Sequence, residues 1–292
     1  GRRTGVEVEV SMERNLGSVI APSGPIPGAD ETRRIAEASK ATVDELAGMI
    51  GSLEDTSIPI PRSEWTVGET GAHLAYAAIG WSMFARGMFY PHGDGTPQSF
   101  ADANEIGLMG FPERGGPELA GHLLEGTRNF LAEVEVRPSD QICHSPLGQL
   151  PLGTLTSYFL AHNLMHGCAV SAALSEDFVF RAEHMPHVWP FICYAYQGPL
   201  VDREALEGVS ARVKVSLTDA FDFAITLRNG EASLALEAGG PADCHVEADA
   251  VHFFLVLIKV LNVQEAVDLG KLTISGPNPE LGLRFMDFFY VP

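Results

Sequence analysis

The rhythm of apolar and polar positions changes once along this 292-residue chain, near Pro186. Upstream of it, apolar residues recur three and four apart, the spacing of helices that bury one face. Ala29 to Gly51 carries Ile35, Ala36, Ala41, Val43, Leu46, Met49 and Ile50 in that spacing. A second block starts at Thr66 and runs through Trp81, and a third spans Pro117 to Val134. The fourth, Pro151 to Leu174, is apolar on nearly every side, as a central helix is. Four such blocks read as an up-and-down bundle. The link Tyr90 to Gly116 is rich in Gly, Pro and Asp but carries Phe100, Leu108, Met109 and Phe111. A link of that length in a compact domain is more often functional than idle, so it is expected to wall a pocket.

Beyond Pro186 the period shortens to two. Val209 to Leu217 and Phe221 to Leu227 read as strands, and Asn229-Gly230 supplies a hairpin turn before Ala232 to Leu236. A strand from Cys244 to Glu247, a helix from Asp249 to Leu261, a short helix from Val263 to Leu269, a strand from Lys271 to Ser275 and a helix around Pro279 to Phe289 complete the pattern. The predicted fold class is therefore α plus α+β. Residues 1–28 form an N-terminal extension that packs as an arm or stays mobile, 29–185 a helix bundle, and 186–292 a smaller α+β domain.

Three histidines stand out against these elements. His162 and His166 are four residues apart on the apolar fourth helix, so both imidazoles lie on one face and can reach one atom. His73 sits about two turns into the second helix, whose start is marked by Thr66 and Glu69 as a capping box, with Trp65 in the place of a hydrophobic staple. Each alone has an ordinary reading: His73 as a hydrogen-bonded core histidine, the pair as a coincidence of spacing. Together they would make a facial set of three nitrogens, leaving the fourth position of a tetrahedral divalent ion open to substrate.

The stretch Glu64-Trp65-Thr66-Val67-Gly68-Glu69-Thr70-Gly71-Ala72-His73-Leu74 resembles the signature of the DinB-like, mycothiol-dependent maleylpyruvate isomerase family, and His162-x3-His166-Gly167 is similar to that family's second metal-binding helix. The resemblance covers about residues 30–185. It implies a four-helix bundle holding a divalent metal, usually zinc, with His73, His162 and His166 as ligands and a low-molecular-weight thiol, mycothiol or similar, as cosubstrate. The isomerase uses Glu where this chain has His162, which keeps a ligand and changes the site charge by one unit. Many relatives carry an acidic residue where this chain has Ala169, so any role of that carboxylate is missing here. In the C-terminal part, Ala242 to Asp249 before an apolar helix and Gly270 to Gly276 after it resemble a sterol-carrier-protein fold. Phe253, Phe254, Leu255 and Leu257 could line a lipid tunnel there, with ordinary core packing the more frequent use of such residues.

Composition narrows the partners. With 38 acidic against 19 basic residues the formal charge is −19, which argues against a nucleic-acid or anionic-membrane partner. Cys143, Cys168, Cys193 and Cys244 lack a Cys-x-x-Cys spacing, so reduced thiols and a cytoplasmic location are expected. The apolar run Val251 to Leu261 contains His252 and Lys259 and falls short of the roughly 20 residues of a membrane span. His92, His122, His144, His184, His187, His245 and His252 lack a mutual ligand spacing. His184 and His187 come closest, but Pro186 between them breaks a helix and puts them on a linker. Cys168 points about 200° away from His166 around the helix. Tyr76, Trp81, Tyr158 and Asn163 could border the pocket.

These readings converge on a metal-dependent enzyme that activates a thiol for isomerisation of, or S-transfer to, a small electrophile. The C-terminal domain would close over the substrate, with Arg203, Arg212, Arg228 and Arg284 as available cations. The alternatives are a non-enzymatic carrier of an apolar ligand and a thiol-independent metal hydrolase.

Overall fold

The computed structural model describes residues 26–88, 92, 96–236 and 239–290. Most of the N-terminal extension, residues 1–25, therefore lies outside the described residues. The bundle consists of α1 (Ala29–Gly51), α2 (Val67–Ala85), α4 (Gly116–Val136) and α5 (Leu152–Leu174), with α3 (Pro97–Gly110) in the link between α2 and α4. Alternating apolar positions of α1 bury Ile35, Val43, Leu46 and Ile50, and α5 is buried along most of its length. Two short strands, β1 (Ile142–Cys143) and β2 (Leu150–Pro151), pair antiparallel ahead of α5.

Two features depart from the pattern expected of the bundle. Both α1 and α2 pack chiefly on α4 and α5, so the consecutive helices α1 and α2 face each other across the diagonal instead of lying side by side. The link between them is long enough to allow this: it crosses the bundle end through a Pro59–Thr66 bridge, and the Val67 N–H donates to the Ile58 carbonyl over 2.8 Å. Part of the expected pocket-wall loop is a helix, α3. The Thr96 side chain accepts from the Ser99 amide and a proline opens the first turn, a start signal that the Gly, Pro and Asp content of the link obscures.

Downstream, α6 (Met185–Tyr196) occupies what reads as a linker. Pro186 stands in its first turn, where the missing N–H costs nothing, so it begins a helix instead of breaking one. Then come β3 (Ser210–Leu217), β4 (Asp222–Arg228), β5 (Glu231–Leu236), β6 (Cys244–Ala248), α7 (Ala250–Leu257), α8 (Val263–Asp268), β7 (Leu272–Ser275) and α9 (Pro279–Arg284). The sheet order is β5-β4-β3-β6-β7, antiparallel except for the β3–β6 pair. Asn229 and Gly230 turn the β4–β5 hairpin at φ 55° and 77°, the left-handed values that an Asn-Gly turn requires. The fold class is thus α plus α+β, as the change of period indicates.

Aromatic stacking joins the two regions. Phe180 stacks on Phe254 with ring centroids 4.1 Å apart, and Trp189 on α6 packs against Phe221 and Phe223 of the sheet. Arg62 adds a bidentate pair to Glu265 and donates to the Val260 carbonyl. Among the described residues, no helix is long and apolar enough to cross a membrane.

Candidate metal centre

The capping box of α2 forms as its residues imply: the Glu69 amide donates to the Thr66 hydroxyl, and the Thr66 amide donates to the Glu69 carboxylate over 2.7 Å. This start sets the phase of α2, so that His73 turns inward toward α5. There it meets His162 and His166, and each of the three residues offers a nitrogen within 4.8 Å of the others. The Nε2 atoms of His73 and His162 are 3.0 Å apart. Two imidazoles bound to one tetrahedral ion at about 2.05 Å have nitrogens about 3.3 Å apart, so the spacing suits a shared ion. His73 and His162 are buried and His166 nearly so.

Burial, followed by the repulsion of its neighbours His166 and His162, holds His73 well below the ordinary imidazole value. Burial likewise holds His162 far down and brings His166 to about 4. All three are therefore neutral at pH 7, the form that binds metals. The surroundings support the same chemistry. Tyr76, three residues on from His73 and on the same helix face, has its hydroxyl 2.8 Å from His73 Nδ1 and within 3.4 Å of Asn104 oxygens, to which it donates. Its oxygen then accepts the Nδ1 proton, which leaves the Nε2 lone pair of His73 facing His162. His162 Nδ1 is buried with no hydrogen-bond partner, so protein contacts alone leave this imidazole half-satisfied. The donor set, its neutrality and the facing Nε2 atoms of His73 and His162 fit a divalent ion.

Trp65 does not act as a simple staple. Its ring lies 5.1 Å from that of His73 and stacks at 6.3 Å on His166, roofing the cluster. From the histidines a cavity of about 760 Å³ extends between α2, α3 and α5. Phe100 and Phe111 belong to its wall, as expected for the link between α2 and α4, but Leu108 and Met109 do not. The helix α3 comes close because Gly107 lies against the Tyr76 ring, where a Cβ would sit 2.5 Å from Tyr76 Cζ. Trp81 and Tyr158 also border the cavity, whereas Asn163 turns its amide to the Phe159 carbonyl.

The remaining histidines separate clearly. His92 lines the cavity, and burial lowers its pKa against a hydrogen bond that it donates to the Asn104 side chain. Its sequence spacing carries no signal, because it comes from a link and not from a ligand-bearing helix. His184 is buried with Nδ1 accepting the Arg181 amide, so it closes a turn and is not half of a ligand pair. Cys168 is buried, and burial raises its thiol to about 12, in keeping with neither ligand nor nucleophile. The expected closure by the C-terminal region is not what the structure places here. Among the described residues, every one that lines the cavity lies between His73 and His166, and Arg203, Arg212, Arg228 and Arg284 are absent from the wall. Arg212 donates to the Pro241 carbonyl and Arg284 pairs with Asp287. Phe253 is fully buried against Phe223 and Phe285, and Phe254 against Phe180, so these rings serve as core.

Residues 195–290 match the profile of the SCP-2 sterol transfer family, so the C-terminal region is of the sterol-carrier type that its sequence resembles. Among solved structures, the crystal structure of the mycothiol-dependent maleylpyruvate isomerase matches with a TM-score of 0.49 at 10% identity, over 77% of this chain and 87% of that one. A UbiJ-SCP2 ubiquinone synthesis protein matches with a TM-score of 0.27 at 16% identity, over 33% of this chain and 79% of that one. A stereoselective inverting sec-alkylsulfatase from Pseudomonas sp. matches with a TM-score of 0.31 at 14% identity, covering 92% of this chain but 32% of the sulfatase. No curated protein matches the sequence significantly.

Proposed function

We propose that this protein is an enzyme in which His73, His162 and His166 hold one divalent metal ion, with zinc favoured by the all-imidazole set, to activate a low-molecular-weight thiol against a small electrophile. The observation that carries this reading is the convergence of three neutral imidazoles from two helices on the wall of a cavity. A divalent ion there supplies Lewis acidity that ionises a thiol near neutral pH. His73, His162 and His166 would be its three protein ligands. The signature from Glu64 to Leu74 supports mycothiol or a similar thiol as cosubstrate.

The residues of the chain set up the rest. Tyr76 holds the His73 proton on Nδ1, Trp65 roofs the imidazoles, and the apolar walls exclude water that would compete with sulfur. A thiolate that adds to an activated double bond forms a C–S bond and turns the double bond into a single bond. Rotation about it and loss of the same sulfur give the isomer and return the thiol. With a leaving group in place of the double bond, formation of the C–S bond expels that group and S-transfer results.

The match of residues 195–290 to a sterol transfer family supports a second reading, in which the C-terminal region carries an apolar ligand. The two are separable. Protein purified without chelators should hold about one metal ion per chain. In the cobalt form, titration with mycothiol or 2-mercaptoethanol should produce a sulfur-to-metal charge-transfer band with proton release, and an S-methylated thiol should not. Metal-free protein that turns over substrate removes the enzyme reading. A silent cobalt spectrum together with thiol-independent ester hydrolysis replaces it with a hydrolase, and extraction of stoichiometric lipid from metal-free protein favours the carrier.

A further inference from the structure

The walls of the cavity say what kind of electrophile fits. Beyond the imidazoles its surface is apolar for the most part, as at Ile79, Phe100, Ile106 and Phe111, and its hydrogen-bonding groups Ser99 and Asn104 carry no charge. Ile79 and Ile106 line it and are also 54% and 65% exposed, so the entrance itself is apolar. Among the described residues, no Lys or Arg lines it. The nearby cations are engaged elsewhere: Arg86 and Arg137 share Glu133, and Arg114 donates to the carbonyls of Phe111 and Glu113. Among the described residues, the one carboxylate on the wall is Asp102, exposed at the rim and accepting from Gln98 over 2.7 Å. An anionic substrate would lose hydration here, find no fixed counter-charge on the described wall and pass a negative rim, a combination that disfavours an unpaired ion.

We infer that the cavity selects an uncharged, predominantly apolar electrophile, such as an aryl or alkyl enone, over a carboxylate-bearing one. This rests on the thiol-enzyme reading for the word electrophile, but the selection against charge rests on the walls alone. A divalent ion with three neutral ligands would keep two positive charges, of which an ionised thiol meets one; the other sits at the imidazoles, and the described walls beyond them add none.

The test uses the zinc-loaded full chain in the presence of 2-mercaptoethanol and two unreactive ketones, 4-phenylbutan-2-one and its para-sulfonate. A sulfonate is a poor ligand for zinc, so it reports the wall and not coordination. Titration followed by the fluorescence of Trp65 and Trp81 should give at least about tenfold tighter binding of the neutral ketone. Ile106→Arg, at an exposed position that tolerates charge, should raise sulfonate affinity by about threefold to tenfold at low salt and change that of the ketone less than twofold. Equal, reversed or undetectable binding of the pair by the unaltered protein overturns the inference. Retained preference for the ketone with no thiol-dependent band in the cobalt form removes only the thiol reading, whereas a clear band with preferred sulfonate removes only this one.

Discussion

The bundle and the C-terminal sheet region bury different kinds of side chain. Of the fifteen buried polar residues among those described, fourteen lie before residue 185 and only His252 lies beyond. His252 is satisfied locally, with Nδ1 2.6 Å from the Asp249 carboxylate that caps its own helix. The buried polar atoms without a partner, including His162 Nδ1 and Asn163 Oδ1, all belong to the bundle. The sheet region instead fills its core with Phe223, Phe253 and Phe285 in edge and stacked contact. A core of rings needs no ligand to complete it, whereas a helix that buries two imidazoles on one face calls for a partner. The candidate site is therefore lodged in the bundle, and the sheet region lies outside its cavity.

The strongest way to break this contrast is His162→Ala. It removes one of three proposed ligands and should lower metal affinity by more than the roughly 100-fold seen when only an outer-shell partner is lost. Turnover should vanish while far-ultraviolet circular dichroism is retained. Full metal content in this variant would show that the cluster is an ordinary core. The counterpart in the other region is Phe253→Ala, which should cost about 3–5 kcal/mol in denaturant unfolding. It should leave metal stoichiometry per folded molecule unchanged, and loss of metal from folded protein would tie the sheet to the site.

Acid should act on the bundle first. Burial holds His184 at about 3 against its ordinary 6.5, so the unfolded chain takes up this proton first as pH falls. The stabilisation is complete above pH 6.5 and drains between 6.5 and 3, by up to about 1.4 kcal/mol per pH unit for this one group. Hydrogen exchange at pH 4 should show amides of α5 losing protection before those of β3 and β4; the opposite order would count against neutral buried imidazoles as the weak point. Tyr76→Phe comes next: freeing the His73 proton should weaken metal binding by about 10- to 100-fold without loss of fold. The smallest effect is expected of Arg62→Ala at the seam between regions. Its partner Glu265 and the guanidinium are 37% and 56% exposed, so thermal unfolding should record no more than about 1 kcal/mol. A larger loss would mean that the two regions depend on each other more than their aromatic contacts imply.

Much of this was legible in the residue pattern because it is local. His162 and His166 share a face by helical period alone, Thr66 and Glu69 announce the start of α2, and Asn229-Gly230 dictates its hairpin. The helix α1 runs over Ala29–Gly51, the limits its apolar spacing marks. What periodicity cannot carry is which faces meet. That His73 Nε2 stands 3.0 Å from His162 depends on how α2 and α5 pack, and only a familial likeness hinted at it beforehand. The diagonal placement of α1 and α2, the approach of α3 through Gly107, the arrival of His92 at the cavity and the exclusion of the C-terminal arginines from it are all products of long-range packing. Each joins residues through links whose closure costs little more for one route than another, so the balance is struck by burial of whole helix faces and not by any residue within the link.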